Sequence, residues 1–165
     1  MRYWRMAMRD GEGGPDRFPD CKQRGIAALD YYRDKYLKER VVDDCRNLTE
    51  DEYNLQWRQR APRKSARKTS LKLLWTKVNI GDVIYAKTGT MIVGKGAVTS
   101  EYDFDPDILK GAKGPNWAHF VRVKWEDSFI PFKFIFIEFR FTLYEIEGTE
   151  LKNLLSAERA AKLGI

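Results

Sequence analysis

The stretch from Val78 to Trp125 constrains this chain more than any other part of it. Asp82–Lys87 (DVIYAK) and Met91–Ser100 (MIVGKGAVTS) are rich in β-branched residues. The turn-prone Thr88-Gly89-Thr90 separates them, so the pair reads as two strands joined tightly. Gly81 suits the turn into the first strand. Gly94 and Gly96 stand two apart on one face, which marks a bulge or a place where a ligand or another backbone comes close. An aromatic, acidic loop broken by proline follows at Glu101–Pro106 (EYDFDP), and then a third strand, Trp117–Trp125 (WAHFVRVKW). Strands and turns in this arrangement are those of a small barrel.

The flanking segments add strands and helices around that centre. Tyr3–Met8 alternates, which puts Trp4, Met6 and Met8 on one face of a first strand. Asp10–Pro15 is glycine-rich but lacks the GK[ST] and the following helix of a phosphate-binding loop, so it reads as a turn. Pro19–Arg24 is a short helix stopped by Gly25. Ile26–Tyr32 is a second strand, in which Asp30 sits among apolar and aromatic neighbours, a costly place for a carboxylate unless it is paired or working. Lys35–Arg46 is charged and weakly periodic and receives no assignment. Thr49 and Glu52 form a capping box opening a helix to about Arg60, with Tyr53 and Trp57 stacked at i, i+4. The next helix starts at Ser65 or Thr69 and turns Leu71, Leu74, Trp75 and Val78 to the core. Phe132–Glu147 continues the sheet, and Gly148-Thr149 caps a final helix, Glu150–Lys162. Five to six strands with three to four short helices predict an α+β fold built on a small mixed β-barrel. The domain spans residues 1–148, and a C-terminal helix at 149–165 leads towards a possible effector or nuclease partner domain.

Composition narrows the function. No apolar run approaches the roughly 20 residues that span a bilayer, and the N-terminus lacks a signal-peptide core, so the expectation is a cytoplasmic protein without a membrane partner. Cys21 and Cys45 make no CxxC or Cys/His spacing with the single histidine, His119, so no metal site is expected and both read as buried thiols. The usual Ser-His-Asp and Cys-His constellations are missing, so the chain is expected to be no enzyme and to need no cofactor. Glu101, Asp103, Asp105 and Asp107 leave a Mg²⁺-dependent nuclease as a lesser alternative. A net charge of +6 favours a polyanionic partner. Its distribution says more: between Glu52 and Asp82 there are eight Lys and Arg residues and no acid. Arg63, Lys64, Arg67, Lys68 and Lys72 at a helix start would hold phosphates, or else form a solvated face.

The runs VNIGDVIY (78–85), IVGKGAVTSEYDFDP (92–106) and NWAHFVRVKW (116–125), with the start Tyr3-Trp4, resemble the EVE domains of the PUA-like superfamily. EVE domains are relatives of YTH domains and of the modified-base readers of McrB-type restriction proteins. Their Trp-Asp-Gly-like signature appears here as Leu29-Asp30-Tyr31, and the segment 33–66 is longer than in a simple EVE domain. The resemblance implies a mixed barrel with a cleft for a modified nucleobase. Such a reader flips the base and replaces its stacking with aromatic side chains, worth about 1–3 kcal/mol per base. The residues of the right chemistry are Tyr31, Tyr32, Tyr102, Phe104 and Trp117, with Asp30 and His119 for the base edge and Trp4 beside them. Each also suits a bland role: Trp4, Trp75 and Trp125 as core, Tyr102 and Phe104 as loop packing, His119 as a structural histidine. The expected function is a non-catalytic DNA-binding module for N6-methyladenine or a 5-modified cytosine, the specificity domain of a modification-dependent restriction system. RNA binding, as in PUA and YTH relatives, and a protein-interaction module are the alternatives.

Overall fold

Eight strands and four helices make up the computed structural model, which describes residues 1–9, 14–29, 42–60, 65–111, 116–138 and 140–165. In chain order they are β1 (Tyr3–Ala7), α1 (Phe18–Arg24), β2 (Ile26–Leu29), α2 (Glu50–Arg60), α3 (Ser65–Thr76), β3 (Val83–Thr88), β4 (Met91–Val98), β5 (Asp103–Phe104), β6 (His119–Trp125), β7 (Phe132–Lys133), β8 (Leu143–Glu145) and α4 (Gly148–Leu163). Six strands run β2-β6-β4-β3-β1-β8 across one curled sheet, with β5 added to β6 and β7 to β4. Among the described residues only β1 and β3 pair in parallel; the other ladders are antiparallel. The fold is α+β with a mixed, barrel-like sheet.

Local chemistry explains where the elements begin and end. Gly25 closes α1 in the left-handed region (φ 64°), which a glycine adopts without steric cost. The capping box is formed: Thr49 N–H donates to Glu52 Oε2 at 2.7 Å, and Glu52 N–H donates to Thr49 Oγ1 at 3.2 Å. The expected i, i+4 pair follows, with the Tyr53 and Trp57 rings 6.3 Å apart and edge-on. On β4 a bulge falls at Val93, since Ala86 faces Gly94 while Lys87 faces Ile92. The close approach at Gly94 is made by the protein itself, because a Cβ there would stand 2.1 Å from Phe18 Cζ.

The main core lies on the sheet face covered by α1, α2 and α3, and includes Trp4, Met6 and Met8 as the alternation of β1 requires. Leu71, Leu74 and Val78 are buried there and Trp75 packs against them. The other face carries a second apolar cluster of Tyr85, Ile92, Phe132, Phe136, Ile146 and Leu154. Leu154 comes from α4, the helix that sequence set apart at residue 149; it is docked on the sheet. Glu158 on α4 is buried and accepts from Tyr85 Oη at 2.6 Å, with Lys95 Nζ at 3.1 Å and Lys162 Nζ at 2.7 Å.

Three expectations need correction. Phe132–Glu147 is not one strand; among the described residues only Phe132–Lys133 and Leu143–Glu145 join the ladder. The alternation in between is real, with Phe134 and Phe136 packed inward and Ile135 and Ile137 exposed, but it rides over the second cluster as loop. The strand expected from Met91 to Ser100 ends at Val98, and that from Trp117 starts at His119. The second strand is formed over Ile26–Leu29, while Asp30, Tyr31 and Tyr32 lie outside the described residues.

Candidate functional site

His119 opens β6, where two strands flank it. Its Cα pairs with Leu29, the last described residue of β2, on one side and with Phe104 of β5 on the other. Asp30, Tyr31 and Tyr32 follow Leu29 in the sequence and lie outside the described residues. Tyr102, just before β5, places its hydroxyl 2.7 Å from His119 Nδ1. The Tyr102 ring lies 6.0 Å from the imidazole at an interplanar angle of 25°, and the Phe104 ring 5.0 Å away and tilted. Of the three, Phe104 is the half-buried one; His119 and Tyr102 are buried, as is Trp117.

Burial dominates the protonation of this cluster. Cys45 N–H donates to the Tyr102 hydroxyl at 3.1 Å. Burial raises the pKa of Tyr102 far above neutrality, so its O–H keeps its proton, and the hydroxyl shares a hydrogen bond with His119 Nδ1. Burial also lowers the His119 pKa to about 4, against the opposing pull of the Val42 backbone, Asp44 and Asp43. Trp117 Nε1 has no hydrogen-bond partner among the described residues, while the imidazole also has the Val42 backbone beside it. The cluster thus holds a buried indole N–H without an acceptor among the described residues. Such groups usually find partners, and each left unmade costs about 1–3 kcal/mol.

The acidic loop is tied down rather than gathered. Arg46 Nη1 bridges to Asp103 Oδ1 at 2.9 Å while its other nitrogens hold Asp44. Asp105 Oδ1 accepts from Asp107 N–H within its own turn. No three His, Cys, Asp or Glu side chains are grouped to hold a metal among the described residues. Arg46 and Cys45 belong to the segment that sequence left unassigned, so their part in the site was not foreseen.

Trp4 is placed away from this chemistry. It is fully buried in the main core and its indole N–H donates to Asp82 Oδ2 at 2.9 Å. Of the expected phosphate contacts, Arg67, Lys68 and Lys72 are on α3; Arg63 and Lys64 lie outside the described residues. Lys68 and Lys72 line a groove of about 430 Å³ between α2 and α3, together with Asn54, Thr76 and Lys77. Glu50, two residues before the acid-free block, reaches back to pair with Lys72. The groove is therefore basic, but less so than the sequence block suggests.

These features define an α+β domain with an aromatic and imidazole cluster at one end of its sheet and a basic interhelical groove. The family model described as "Domain of unknown function (DUF8426)" matches residues 4–146, and the chain belongs to that family. A solved structure titled "Structure of Hypothetical protein from Leishmania major" is similar over 98% of this chain and 97% of its own, at 11% identity and a TM-score of 0.47. No curated protein matches the chain. Among the described residues no helix is long and apolar enough to cross a membrane.

Proposed function

We propose that the chain is a non-catalytic nucleic-acid-binding module of EVE-like, PUA-like fold that takes a modified base into the cluster around His119. DNA carrying N6-methyladenine or a 5-modified cytosine is the preferred ligand, and the biological setting is the specificity step of a modification-dependent restriction system. The observation that carries the reading is the Tyr102–His119 pair, with Phe104 packed on the imidazole. It sets a buried, neutral histidine opposite Leu29, the residue that precedes Asp30, Tyr31 and Tyr32 in the sequence. A flipped base needs a ring to stack on and polar atoms aimed at its edge. In this reading Phe104 supplies the half-buried ring, Trp117 an indole N–H with no partner among the described residues, His119 a polar ring edge, and Asp30 an acceptor. The Lys68–Lys72 groove supplies positive charge for the backbone. The sequence resemblance to EVE domains points the same way.

The test is fluorescence-polarisation binding to matched duplexes and single strands, with adenine or cytosine plain or methylated, for the protein and for Tyr102→Phe and Phe104→Ala. A preference of tenfold or more for one modification is about 1.4 kcal/mol of specific readout. That preference should vanish in both variants while salt-dependent binding persists. Tighter binding to RNA strands than to DNA would move the module to the RNA-binding alternative. Absence of binding to any of these ligands would refute the nucleic-acid reading.

A further inference from the structure

The second face of the sheet carries a set of cations that the base-reading proposal does not use. Steps of two along the chain put Arg5, Ala7 and Arg9 on the face opposite Trp4, Met6 and Met8. Ala7 pairs in register with Lys87 of β3. The small side chain of Ala7 is thus a floor with Arg5 before it, Arg9 after it and Lys87 at its side. Arg9 reaches the β3–β4 turn, its Nη2 standing 3.8 Å from where a Cβ on Gly89 would be.

Arg5 is 1% exposed. Its guanidinium lies over the Tyr144 ring at 4.6 Å, and Nη2 donates to the Phe141 carbonyl. Nε has no partner among the described residues. Glu138 and Glu150 favour its charge from the side of α4, but Glu138 holds Arg140, and Glu150 accepts from Ile137 N–H and the Tyr144 hydroxyl. Asp16, across the bridge from Arg9, accepts from Thr88 Oγ1 and Phe18 N–H, each at 2.9 Å. No ion pair to Arg9 or Lys87 is found among the described residues. Burial lowers the Lys87 pKa, and the charges of Arg5 and Arg9 lower it further. Three like charges held around a small floor, one of them buried, repel each other unless an anion joins them.

We propose that Arg5, Lys87 and Arg9 form a binding site for a phosphate group. Two guanidinium groups and an ammonium match a phosphate, the arginines through their planar forks and Lys87 as a point charge. The site is on the opposite sheet face from the main core on which α3 packs, and it does not depend on whether the His119 cluster reads a base. The phosphate is either free, a terminal monoester of a nucleotide chain, or a backbone diester.

The test titrates the full chain with inorganic phosphate by calorimetry at fixed ionic strength, with chloride as the reference anion. Wild type should bind saturably, and the double variant Lys87→Gln, Arg9→Gln should bind roughly tenfold or more weakly. Both substitutions leave buried Arg5 in place, and thermal melts in chloride should show both proteins folded. Absence of saturable binding, or equal affinity in wild type and variant, overturns the site. Short oligonucleotides with and without a 5′-phosphate, added as competitors, identify the source. Competition by the phosphorylated form alone assigns a monoester, competition by both assigns the diester backbone, and competition by neither assigns free phosphate.

Discussion

Replacing Asp82 with alanine removes the acceptor shared by three donors. The carboxylate accepts from Arg2 N–H at 2.8 Å through Oδ1, and from Trp4 Nε1–H at 2.9 Å and Asn79 N–H at 3.0 Å through Oδ2. Trp4 is fully buried and Asp82 is 3% exposed, so water does not readily replace the lost oxygen at the indole. Leaving one buried donor unmade costs about 1–3 kcal/mol, and hydrogen bonds to a charged acceptor contribute about 1.5–3 kcal/mol each. The Arg2 and Asn79 amides are only partly buried and recover some of their loss through solvent. A total of about 3–4 kcal/mol follows, within the range of the severe single substitutions. For a chain of this size that is a fall in Tm of roughly 6–16 °C. Asp82→Asn should fall between wild type and alanine, because its amide keeps one acceptor oxygen and turns an NH₂ towards a donor. Urea denaturation followed by tryptophan fluorescence, with a thermal melt alongside, measures all three proteins. An Asp82→Ala protein within about 0.5 kcal/mol of wild type would show that the clamp is not what holds the start of β1 against the turn into β3.

Three further outcomes are expected. His119 takes up its proton near 6.5 when unfolded and near 4 when folded, so between those values the unfolded state binds more protons and stability falls as pH falls. Denaturation between pH 7 and 4 should show wild type losing about 3 kcal/mol that a His119→Gln protein does not lose; parallel curves would mean the imidazole is not buried neutral. Burial raises the Glu158 pKa, but hydrogen bonds from Lys162, Tyr85 and Lys95 outweigh it and the net shift is downward from 4.5. Its contribution is therefore present above about pH 4.5 and lost as pH falls through the lower folded pKa, so the deficit of Glu158→Gln, about 1–3 kcal/mol at pH 7, should close in acid. Gly94→Ala drives a methyl into the Phe18 ring and should cost about 1–3 kcal/mol in a chemical melt; neutrality would mean that α1 shifts freely off the sheet.

Local chemistry was readable wherever a short-range rule decides the outcome. The capping box at Thr49, the Gly25 helix stop, the alternation of β1 and the two strands around Gly89 depend on neighbours within a few residues, and all are found. The grouping of Tyr102, Phe104 and His119 was also legible, because the aromatic loop and the following strand were expected to be adjacent. What escaped was what long-range pairing decides. Cys45 and Arg46 join the site through contacts 57 residues apart in sequence, and no periodicity in 35–46 announces them. Phe132–Glu147 carried the alternation of a strand, yet a strand needs a partner edge as well as a pattern. At the β4 edge only Phe132–Lys133 finds one, opposite Met91 and Ile92.

The second sheet face is the clearest case of this limit. Period-two reading of YWRMAM sends Arg5 to the side away from the core, where a cation normally meets water. That inference holds only while the opposite face is solvated, as in many antiparallel sheets. Here α4 and the loop before β8 cover the face, and Arg5 is buried between aromatic rings. The covering could not be read from β1 alone, since the residues that make it lie more than 120 positions away. The same reversal puts the run of Arg5, Ala7 and Arg9 on a partly covered face, with Ala7 in register with Lys87. An arginine on an expected outer face, found buried with no partner for Nε among the described residues, marks where a second apolar cluster covers the sheet.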